Sequence, residues 1–316
     1  MTGSQTSQQK GADVSSAFSI LSQEFRNKNP KIPTYTLLDS GEFQKLEQIG
    51  PFKIQRPSLS APWNKLRPEL WQDIDATFVR KSDGSGDWKI KNKKLSEVIV
   101  AAIGPLLIEL KLTNFGHLGI FFEQFDNWCR IYDTITQLKK SSDKPVKILN
   151  LFAYTGMSSL VGALAGAEVT HVDASKGTVK WAQTNAQKNA VLESSVIRWI
   201  TEDVVSFVAR EVRRGNKYHG IILDPPTYGR GDKKQVWKIE ENLVPLLEEL
   251  DSILENSKNS FVNLSGHSEG FGPLTLSLLL KQCFKKEMNV SFNEMSIPSE
   301  TGVALPSGYT SFGKLI

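Results

Sequence analysis

The sequence is poor in cysteine and in long hydrophobic runs. Among its 316 residues are two cysteines, Cys129 and Cys283, too few for a disulfide framework or a metal-ligand set. The longest apolar stretch, residues 98–110, is interrupted by a glycine, a proline and a glutamate and is too short to span a bilayer. Residues 1–16 are polar and lack the apolar core of a signal peptide. These absences predict a cytoplasmic protein in a reducing setting, with no metal and no membrane association. Three histidines show no metal-ligand spacing, so structural roles are expected for His171, His219 and His267.

Glycine-rich phosphate loops are also missing. A dinucleotide-binding loop needs G-x-G-x-x-G, and a P-loop needs Gly-Lys-Ser/Thr. Residues 149–156, LNLFAYTG, instead place one glycine after an apolar run and before a helical stretch. Thr155-Gly156 allows a tight turn and close approach of the backbone to a ligand. We expect an uncharged or zwitterionic group here, which argues against a dehydrogenase; an ordinary strand–turn–helix is the alternative.

The hydrophobic pattern divides the chain into three parts. Residues 1–32 are rich in Ser, Gln, Asn and Lys and are predicted to form a flexible polar arm. Residues 33–115 contain short apolar runs punctuated by Gly and Pro, which predict a small β-rich domain that we expect to bind substrate. Residues 116–316 alternate strands with helices, which predicts βαβ units and a Rossmann-like, doubly wound α/β sheet.

Individual elements follow from the same patterns. Residues 83–88, DGSGDW, predict a hairpin turn in the small domain, and its three tryptophans are expected to supply much of its core. These are Trp63, Trp71 and Trp88. In the larger domain the predicted strands are 147–152, 168–172, 195–200, 219–223 and 260–264, with a terminal hairpin of 288–297 and 303–312. Helices are predicted near 157–166, 175–190, 203–214, 235–257 and 273–286.

Acidic residues follow two of the predicted strands, where right-handed crossovers bring the loops to one sheet edge. Asp173, followed by Ala174 and Ser175, lies 23 residues after Asn150. A carboxylate there can accept from both hydroxyls of a ribose. Asp203, after the next strand, is placed to accept from the exocyclic amine of adenine. The alternative is that these residues only cap helices or stabilise turns, as expected for Ser175.

The segment DPPTY at 224–228 carries the most specific chemistry. Pro225 and Pro226 fix φ and remove two N–H donors, so the strand end offers carbonyls and the Asp224 carboxylate. These acceptors can hold a planar amine through its hydrogens and turn its lone pair toward an electrophilic methyl group. Tyr228 is expected to stack on a base flipped into the site. A rigid strand-to-loop turn is the alternative.

The net charge of +4 is unevenly distributed. All of the excess lies in residues 1–115, where 16 Lys and Arg accompany 12 Asp and Glu. Its densest part is WKIKNKK at 88–94, from which Lys89 and Lys91 are expected to contact a nucleic-acid backbone. A solvated edge strand protected by lysines is the alternative.

Together these motifs resemble a known family. LNLFAYTG, VDAS at 172–175 and DPPTYG at 224–229 resemble the cofactor and catalytic segments of class I S-adenosyl-L-methionine (SAM)-dependent methyltransferases of the large-subunit ribosomal RNA type. HLGIFFEQ at 117–124 resembles the segment that leads into that domain. The resemblance implies a seven-stranded sheet, SAM as cofactor, and RNA, chiefly ribosomal, as partner. The cofactor residues it implies are Gln124, Asn150, Phe152, Tyr154, Thr155, Gly156, Asp173, Ala174, Ser175, Asp203 and Asp224. The catalytic residues it implies are Asp224, Pro225, Pro226 and Tyr228.

One departure from the family pattern bears on the chemistry. Members that methylate cytosine C5 use a cysteine after the fifth strand, because C5 is a poor nucleophile until a thiolate adds to the ring. Residues 261–270 here read FVNLSGHSEG, with Asn263 and no cysteine. The segment is more similar to members that methylate a guanine nitrogen, which predicts direct attack by a base nitrogen, with Asn263 near the substrate.

Two other functions remain open from the sequence. Related NPPY motifs act on protein glutamine, so the substrate could be a side-chain amide; the aspartate at 224 and the basic N-terminal part argue against it. The chain could also be a non-catalytic RNA-binding or assembly factor that keeps the fold. Such a protein would have no need of an intact DPPTY segment.

Overall fold

The computed structural model describes most of the chain beyond the N-terminal segment. The residues described are 35–82, 84–95, 98–141, 144–230 and 236–316. The arm predicted for residues 1–32 lies outside them. A β-rich N-terminal region precedes a larger sheet flanked by helices, as the sequence predicts. Within the described ranges no helix has the length and apolar character needed to cross a membrane.

The N-terminal region begins with a five-stranded sheet. Its strands, in spatial order, are β1 (Tyr35–Gly41), β2 (Gln44–Ile49), β3 (Phe52–Pro57), β4 (Ala76–Arg80) and β5 (Gly86–Ile90). Neighbours are antiparallel except β3 and β4, which run parallel. A β4–β5 hairpin is present, as expected, with Ala76 opposite Ile90 and Arg80 opposite Gly86, but residues 86–88 of the predicted turn belong to β5. A separate two-stranded ribbon follows, formed by β6 (Val98–Ile103) and β7 (Leu106–Lys111).

The core of this region is mainly aliphatic, with Phe78 of β4 buried as well. The fully buried side chains of the sheet include Leu46, Ile49 and Ile54. The expectation that tryptophans would supply much of the core is wrong, since Trp63, Trp71 and Trp88 are only partly buried. Each indole N–H donates to an oxygen 2.8–2.9 Å away. An indole needs such a polar partner, which holds these rings at the margin of the core.

A buried ion pair ties the N-terminal sheet to the segment that follows it. Arg56 donates to both carboxylate oxygens of Glu47 at 2.6 Å, and to the Gly116 carbonyl at 2.7 Å. Burial raises the pKa of Glu47, but the charges of Arg56 and Lys45 and the hydrogen bonds outweigh burial, and the pKa falls to about 2. Tyr35 donates to Glu47 at 3.0 Å. The sheet and the chain around residue 116 are therefore held together by charge as well as by packing.

The remaining strands build the larger sheet and a hairpin. They are β8 (Lys147–Leu151), β9 (Glu168–Asp173), β10 (Ile197–Thr201), β11 (Gly220–Leu223), β12 (Tyr228–Arg230), β13 (Val236–Lys238), β14 (Phe261–Gly266), β15 (Met288–Ile297) and β16 (Leu305–Leu315). Seven of them form one sheet in the order β10-β9-β8-β11-β14-β16-β15. It is parallel from β10 to β14, and β16 is antiparallel to both its neighbours.

Helices cover both faces of this sheet. They are α1 (Phe125–Lys140), α2 (Met157–Leu164), α3 (Lys176–Gln187), α4 (Val204–Arg214), α5 (Ile239–Ile253) and α6 (Pro273–Cys283). Successive residues of a strand point to opposite faces. Ile148 accordingly packs in a cluster with Trp128 of α1, and Leu149 in a second cluster with Phe207 of α4. The predicted doubly wound fold is confirmed. The first cluster also contains Ile54, so the N-terminal sheet shares its core with the larger sheet.

Most predicted boundaries differ from the structure by a few residues, and one difference changes the element itself. The helix expected over 235–257 begins at Ile239, and the residues just before it form the β12–β13 hairpin. The indole N–H of Trp237 donates to the Pro226 carbonyl at 2.7 Å, and the Ile239 N–H donates to the Thr227 carbonyl at 3.0 Å. These bonds hold residues 236–238 extended beside the DPPTY segment.

Candidate active site

A large cavity opens at the carboxyl ends of the central strands. Along the sheet, β9 and β10 lie on one side of β8, and β11 and β14 lie on the other. Open α/β sheets bind ligands at such a reversal of strand order. The cavity has a volume of about 790 Å³, within the range typical of small-molecule sites. Its lining includes Phe152, Tyr154, Asp173, Asp203, Asp224, Trp237 and His267.

The loop after β8 has a left-handed backbone at three positions. Phe152, Tyr154 and Gly156 have φ values of 52°, 50° and 91°. A non-glycine residue adopts this region at a cost on the order of 1–3 kcal/mol. At Gly156 a Cβ would lie 2.9 Å from that of Ala182, so a side chain would not fit there. Asp173 accepts from the Tyr154 N–H at 2.9 Å and stabilises the loop, which places both aromatic rings on the cavity wall.

Asp173 links this loop to the start of α3. Its Oδ1 accepts from the Ser175 N–H at 2.9 Å, and Ser175 caps α3 by accepting from the Thr178 N–H at 3.3 Å. Burial raises the pKa of Asp173, while the two backbone hydrogen bonds lower it. Each carboxylate oxygen has two lone pairs, so Asp173 can still accept from a ligand. Ala174 lines the cavity beside it.

Asp203 caps a helix and also lines the cavity, so its place fits both roles that the sequence left open. Its Oδ2 accepts from the Ser206 N–H at 2.9 Å and caps α4, as the structural alternative predicts. Asp203 also lines the cavity, on the side of β10. One carboxylate oxygen is therefore used by the helix, and binding of an adenine amine by the same residue stays a prediction.

Asn150 and Thr155 support the loop from within the core. Asn150 donates to Ser159 Oγ at 2.9 Å, and that oxygen lies 3.0 Å from Nδ1 of His171. Burial lowers the pKa of His171 to about 3, so this histidine is neutral. Thr155 donates its hydroxyl hydrogen to the Gly119 carbonyl. Both Asn150 and Thr155 border a space of about 60 Å³ rather than the large cavity. Their contact with a cofactor stays a prediction.

Asp224 has one satisfied and one unsatisfied oxygen. Oδ2 accepts from Gln124 Nε2 at 3.0 Å, whereas Oδ1 is buried and no group in the described part of the chain completes a hydrogen bond to it. Gln124 is fixed in turn, because it also donates to Ser265 Oγ at 2.9 Å and accepts from Asn127 at 2.7 Å. Burial raises the pKa of Asp224, while the charge on His267 and the Ser265 and Gln124 side chains lower it. Asp224 can therefore receive one more N–H from a bound group.

His267 is a functional candidate that sequence reasoning missed. Its Nε2 lies 3.0 Å from Glu123 Oε1, and its Nδ1 lies 3.7 Å from Asp224 Oδ1, so two carboxylates flank the ring. Burial lowers the pKa of His267, but the hydrogen bond to Glu123 and the charge of Asp224 outweigh burial and raise it to about 9. The ring is therefore protonated at neutral pH. The signal in the sequence was its position three residues after the predicted strand 260–264, at the edge that carries Asp173 and Asp224.

The hairpin beside the DPPTY segment forms another wall. The Trp237 ring lies 4.8 Å from that of Phe152, measured between ring centroids. The indole N–H of Trp237 donates to the Pro226 carbonyl, and the Ile239 N–H at the start of α5 donates to the Thr227 carbonyl. Among the side-chain acceptors at this strand end, Asp224 Oδ1 has no hydrogen-bond partner in the described part of the chain. Pro225 and Pro226 both line the cavity around it.

Comparison with known proteins identifies the family. No family model matches the sequence. Among solved structures, a SAM-dependent methyltransferase from Agrobacterium tumefaciens is 34% identical in sequence. The superposition has a TM-score of 0.82 and covers 90% of this chain and 91% of that one. The chain belongs to the SAM-dependent methyltransferases. The cofactor predicted from the sequence is thereby confirmed.

Curated relatives of this methyltransferase agree with the resemblance to large-subunit ribosomal RNA methyltransferases seen in the sequence. Ribosomal RNA large subunit methyltransferase K/L from Pseudoalteromonas translucida is 27% identical over 218 residues, which is 68% of this chain and 28% of the relative. Ribosomal RNA large subunit methyltransferase I from Aeromonas salmonicida is 27% identical over 181 residues, which is 56% of this chain and 43% of the relative. The chain thus spans less than half the length of these relatives.

Four residues predicted to contact substrate do not line the large cavity of the methyltransferase. Thr227 and Gly229 line it, but the intervening Tyr228 does not, and half of the Tyr228 surface is exposed. Asn263 is buried in β14. Lys89 and Lys91 are exposed on and just after β5, which is an edge strand, as the alternative of a lysine-protected edge predicts. The roles of these residues toward substrate stay predictions.

Proposed function

We propose that this methyltransferase transfers a methyl group to a nitrogen atom of an RNA base. The observation that carries the proposal is the unsatisfied Oδ1 of Asp224 on the wall of the cavity. A buried acceptor without a donor costs on the order of 1–3 kcal/mol, and a base amine or ring N–H would supply that donor. The names of the curated relatives, which specify large-subunit ribosomal RNA, support RNA as the substrate class.

The cavity fits SAM in size and in the chemistry of its walls. Asp173 keeps lone pairs for the hydroxyls of a ribose, and Asp203 lies at the next strand end for an adenine amine. Phe152, Tyr154 and Trp237 supply apolar surface. When bound, SAM supplies a methyl group on a positively charged sulfur.

The residues of the chain then act by positioning. Asp224 accepts an N–H of the target nitrogen and so turns the nitrogen lone pair toward the methyl group. Gln124 fixes the orientation of Asp224, and the positive charge of His267 favours its ionised form. The proton that the methylated nitrogen loses can pass to the Asp224 carboxylate. Alignment of this kind supplies much of the rate enhancement when the nucleophile needs no covalent activation.

The cysteines support attack by nitrogen rather than by carbon C5. Cys129 is buried in α1, and Cys283 is buried at the end of α6. Neither lines the large cavity. Burial raises the pKa of the Cys129 thiol to about 12, so little thiolate exists at neutral pH. C5 methylation needs a thiolate at the base, so a base nitrogen is the better acceptor.

We further infer that residues 33–115 bind the RNA and that residues 116–316 form the catalytic domain, in a cytoplasmic protein. Several cationic side chains of the N-terminal region support this division, because phosphate contacts supply much of the affinity for nucleic acids. Lys45, Arg56 and Arg80 of that region lie around a small cavity that contains His117, and His117 also lines the large cavity.

The test is methyl transfer from tritiated SAM to material from cells that lack this gene. We expect label in RNA, sensitive to ribonuclease, and an N-methylated base on nucleoside analysis by mass spectrometry. Label sensitive to protease would instead favour a protein amide substrate. Label in 5-methylcytidine would contradict attack by nitrogen, and RNA binding without any transfer would favour a non-catalytic factor.

A further inference from the structure

A smaller cavity adjoins the candidate active site. Its volume is about 150 Å³, well above the ~10–15 Å³ that one water requires. Side chains of the N-terminal sheet and of residues 116–123 line it, among them Lys45, Arg56, Arg80 and Glu123. His117 and Phe121 line both this cavity and the large one, so the two spaces meet at these residues.

The cations of the small cavity are unequally neutralised. Arg56 is committed to Glu47 and to the Gly116 carbonyl. Lys45 Nζ lies 3.5 Å from Glu47, whose oxygens already accept from Arg56. Arg80 is exposed and forms no ion pair with any carboxylate in the described ranges. Arg80 is therefore left for an incoming anion, whereas Lys45 is already ion-paired with Glu47 and burial lowers its pKa.

The pKa of His117 reflects the positive charge around the junction of the two cavities. Burial lowers its pKa, and the charges of Arg56, Arg80 and Lys45 lower it further, to about 4, although Glu123 opposes them. The ring is neutral at physiological pH. Glu123 itself is paired with protonated His267 and so contributes little free negative charge.

We propose that this cavity binds a backbone phosphate of the RNA, next to the nucleotide whose base enters the active site. The proposal rests on the proposed function and specifies how that substrate is held. Arg80 offers charged N–H donors, which is the chemistry that recognises phosphate, and the Lys45–Glu47 pair lies on the same cavity wall. Because His117 joins the two spaces, a base in the large cavity and an adjoining phosphate in the small one can be held together.

A third space strengthens the assignment to a nucleotide strand. It has a volume of about 510 Å³, and His117 and Tyr154 line both it and the large cavity. It contains Phe115, whose side chain is 63% exposed. Exposed aromatic rings stack neighbouring bases in single-stranded nucleic acids. A strand that passes His117 would therefore meet a cationic cavity and a stacking surface beside the active site.

The test compares Arg80→Gln with the matched variant Arg213→Gln, which removes an exposed arginine at the end of α4, outside the cavities described. The probe is a fluorescein-labelled single-stranded RNA of about twelve nucleotides, titrated at several KCl concentrations in saturating S-adenosylhomocysteine. A lost phosphate contact reduces the slope of log affinity against log salt by about 0.7. We expect this reduction for Arg80→Gln and a wild-type slope for both Arg213→Gln and Arg80→Lys, because lysine keeps the positive charge.

Methyl transfer provides the second measurement. Arg80→Gln should raise the KM for RNA and leave kcat and the affinity for SAM unchanged, because the residue holds the backbone and not the reacting base. A wild-type slope and KM in Arg80→Gln would overturn the phosphate site while methyl transfer to RNA still stands. A wild-type protein that neither binds nor methylates RNA would overturn the proposed function and the phosphate site together.

Discussion

The Nδ1 atom of His267 lies 3.7 Å from Oδ1 of Asp224. This separation exceeds a hydrogen bond, so the two side chains interact through charge. On its other side His267 is fixed by Glu123 at 3.0 Å. The histidine thus brings a positive charge close to the carboxylate that we assign to the target nitrogen, without using the oxygen that the target needs.

His267→Gln should shift the pH dependence of methyl transfer. The charge of His267 lowers the pKa of Asp224, so its removal raises that pKa, and protonation disables the carboxylate at a higher pH. The acid side of the kcat profile should therefore move to higher pH. His219→Gln is the control, because His219 accepts from the Lys147 N–H away from the cavity. Equal profiles for wild type and His267→Gln would exclude this role.

Asp173→Asn should weaken SAM binding. The substitution removes a charge and disturbs acceptors for the Tyr154 and Ser175 N–H groups. Hydrogen bonds to a charged group contribute about 1.5–3 kcal/mol, so the affinity should fall by an order of magnitude or more. Calorimetric titration measures it, with NAD as a ligand that should not bind. Exposed Glu193→Gln is the control, and an unchanged affinity in Asp173→Asn would remove Asp173 from the cofactor site.

Trp237→Phe should lower turnover more than Trp88→Phe does. Each substitution removes one indole hydrogen bond, to Pro226 or to Thr113, and costs about 0.5–1.5 kcal/mol of stability. Only the hydrogen bond of Trp237 reaches the DPPTY segment. Thermal unfolding and kcat should therefore separate the variants, with similar stability losses and a drop in kcat for Trp237→Phe. A similar kcat in both would mean that the hairpin does not position the site.

Glu47→Gln should destabilise the protein and change its response to acid. The folded pKa of Glu47, about 2, lies below its ordinary value of 4.5. Its contribution to stability is therefore present above pH 4.5 and is lost as the pH falls through 2. Breaking a buried pair costs about 3–5 kcal/mol, because Arg56 stays charged. Urea unfolding at pH 7 measures the loss of stability, and a second unfolding curve near pH 3 measures the changed response to acid. Glu42→Gln, which removes a surface pair with Lys65, should have little effect.

The larger sheet and its acidic residues could be predicted because both depend on local sequence. Apolar runs alternate with helical patterns, and right-handed crossovers bring Asp173, Asp203 and Asp224 to one edge. The cavity that collects these residues follows from topology alone. Topology does not determine which side chains are buried in the N-terminal sheet, because aliphatic residues and tryptophans both suit the buried positions of strands.

The partners of Asp224 and His267 could not be predicted, because they come from distant parts of the chain. Glu123 and His267 are 144 residues apart in sequence, and Gln124 and Asp224 are 100 apart. The orientation of Tyr228 could not be predicted either, because Tyr228 pairs with Lys238 in a hairpin whose Trp237 donates to the Pro226 carbonyl. Pairings of this kind are set by the tertiary structure.

The most direct test of the account is a paired measurement on Asp224→Asn: kcat for methyl transfer into RNA and the dissociation constant for SAM. The substitution keeps the shape of the side chain and removes the carboxylate that we propose to align the nitrogen. We expect kcat to fall about a hundredfold or more, as misalignment of reacting groups does, while SAM affinity stays within a few-fold of wild type. Wild-type turnover in Asp224→Asn would contradict the account.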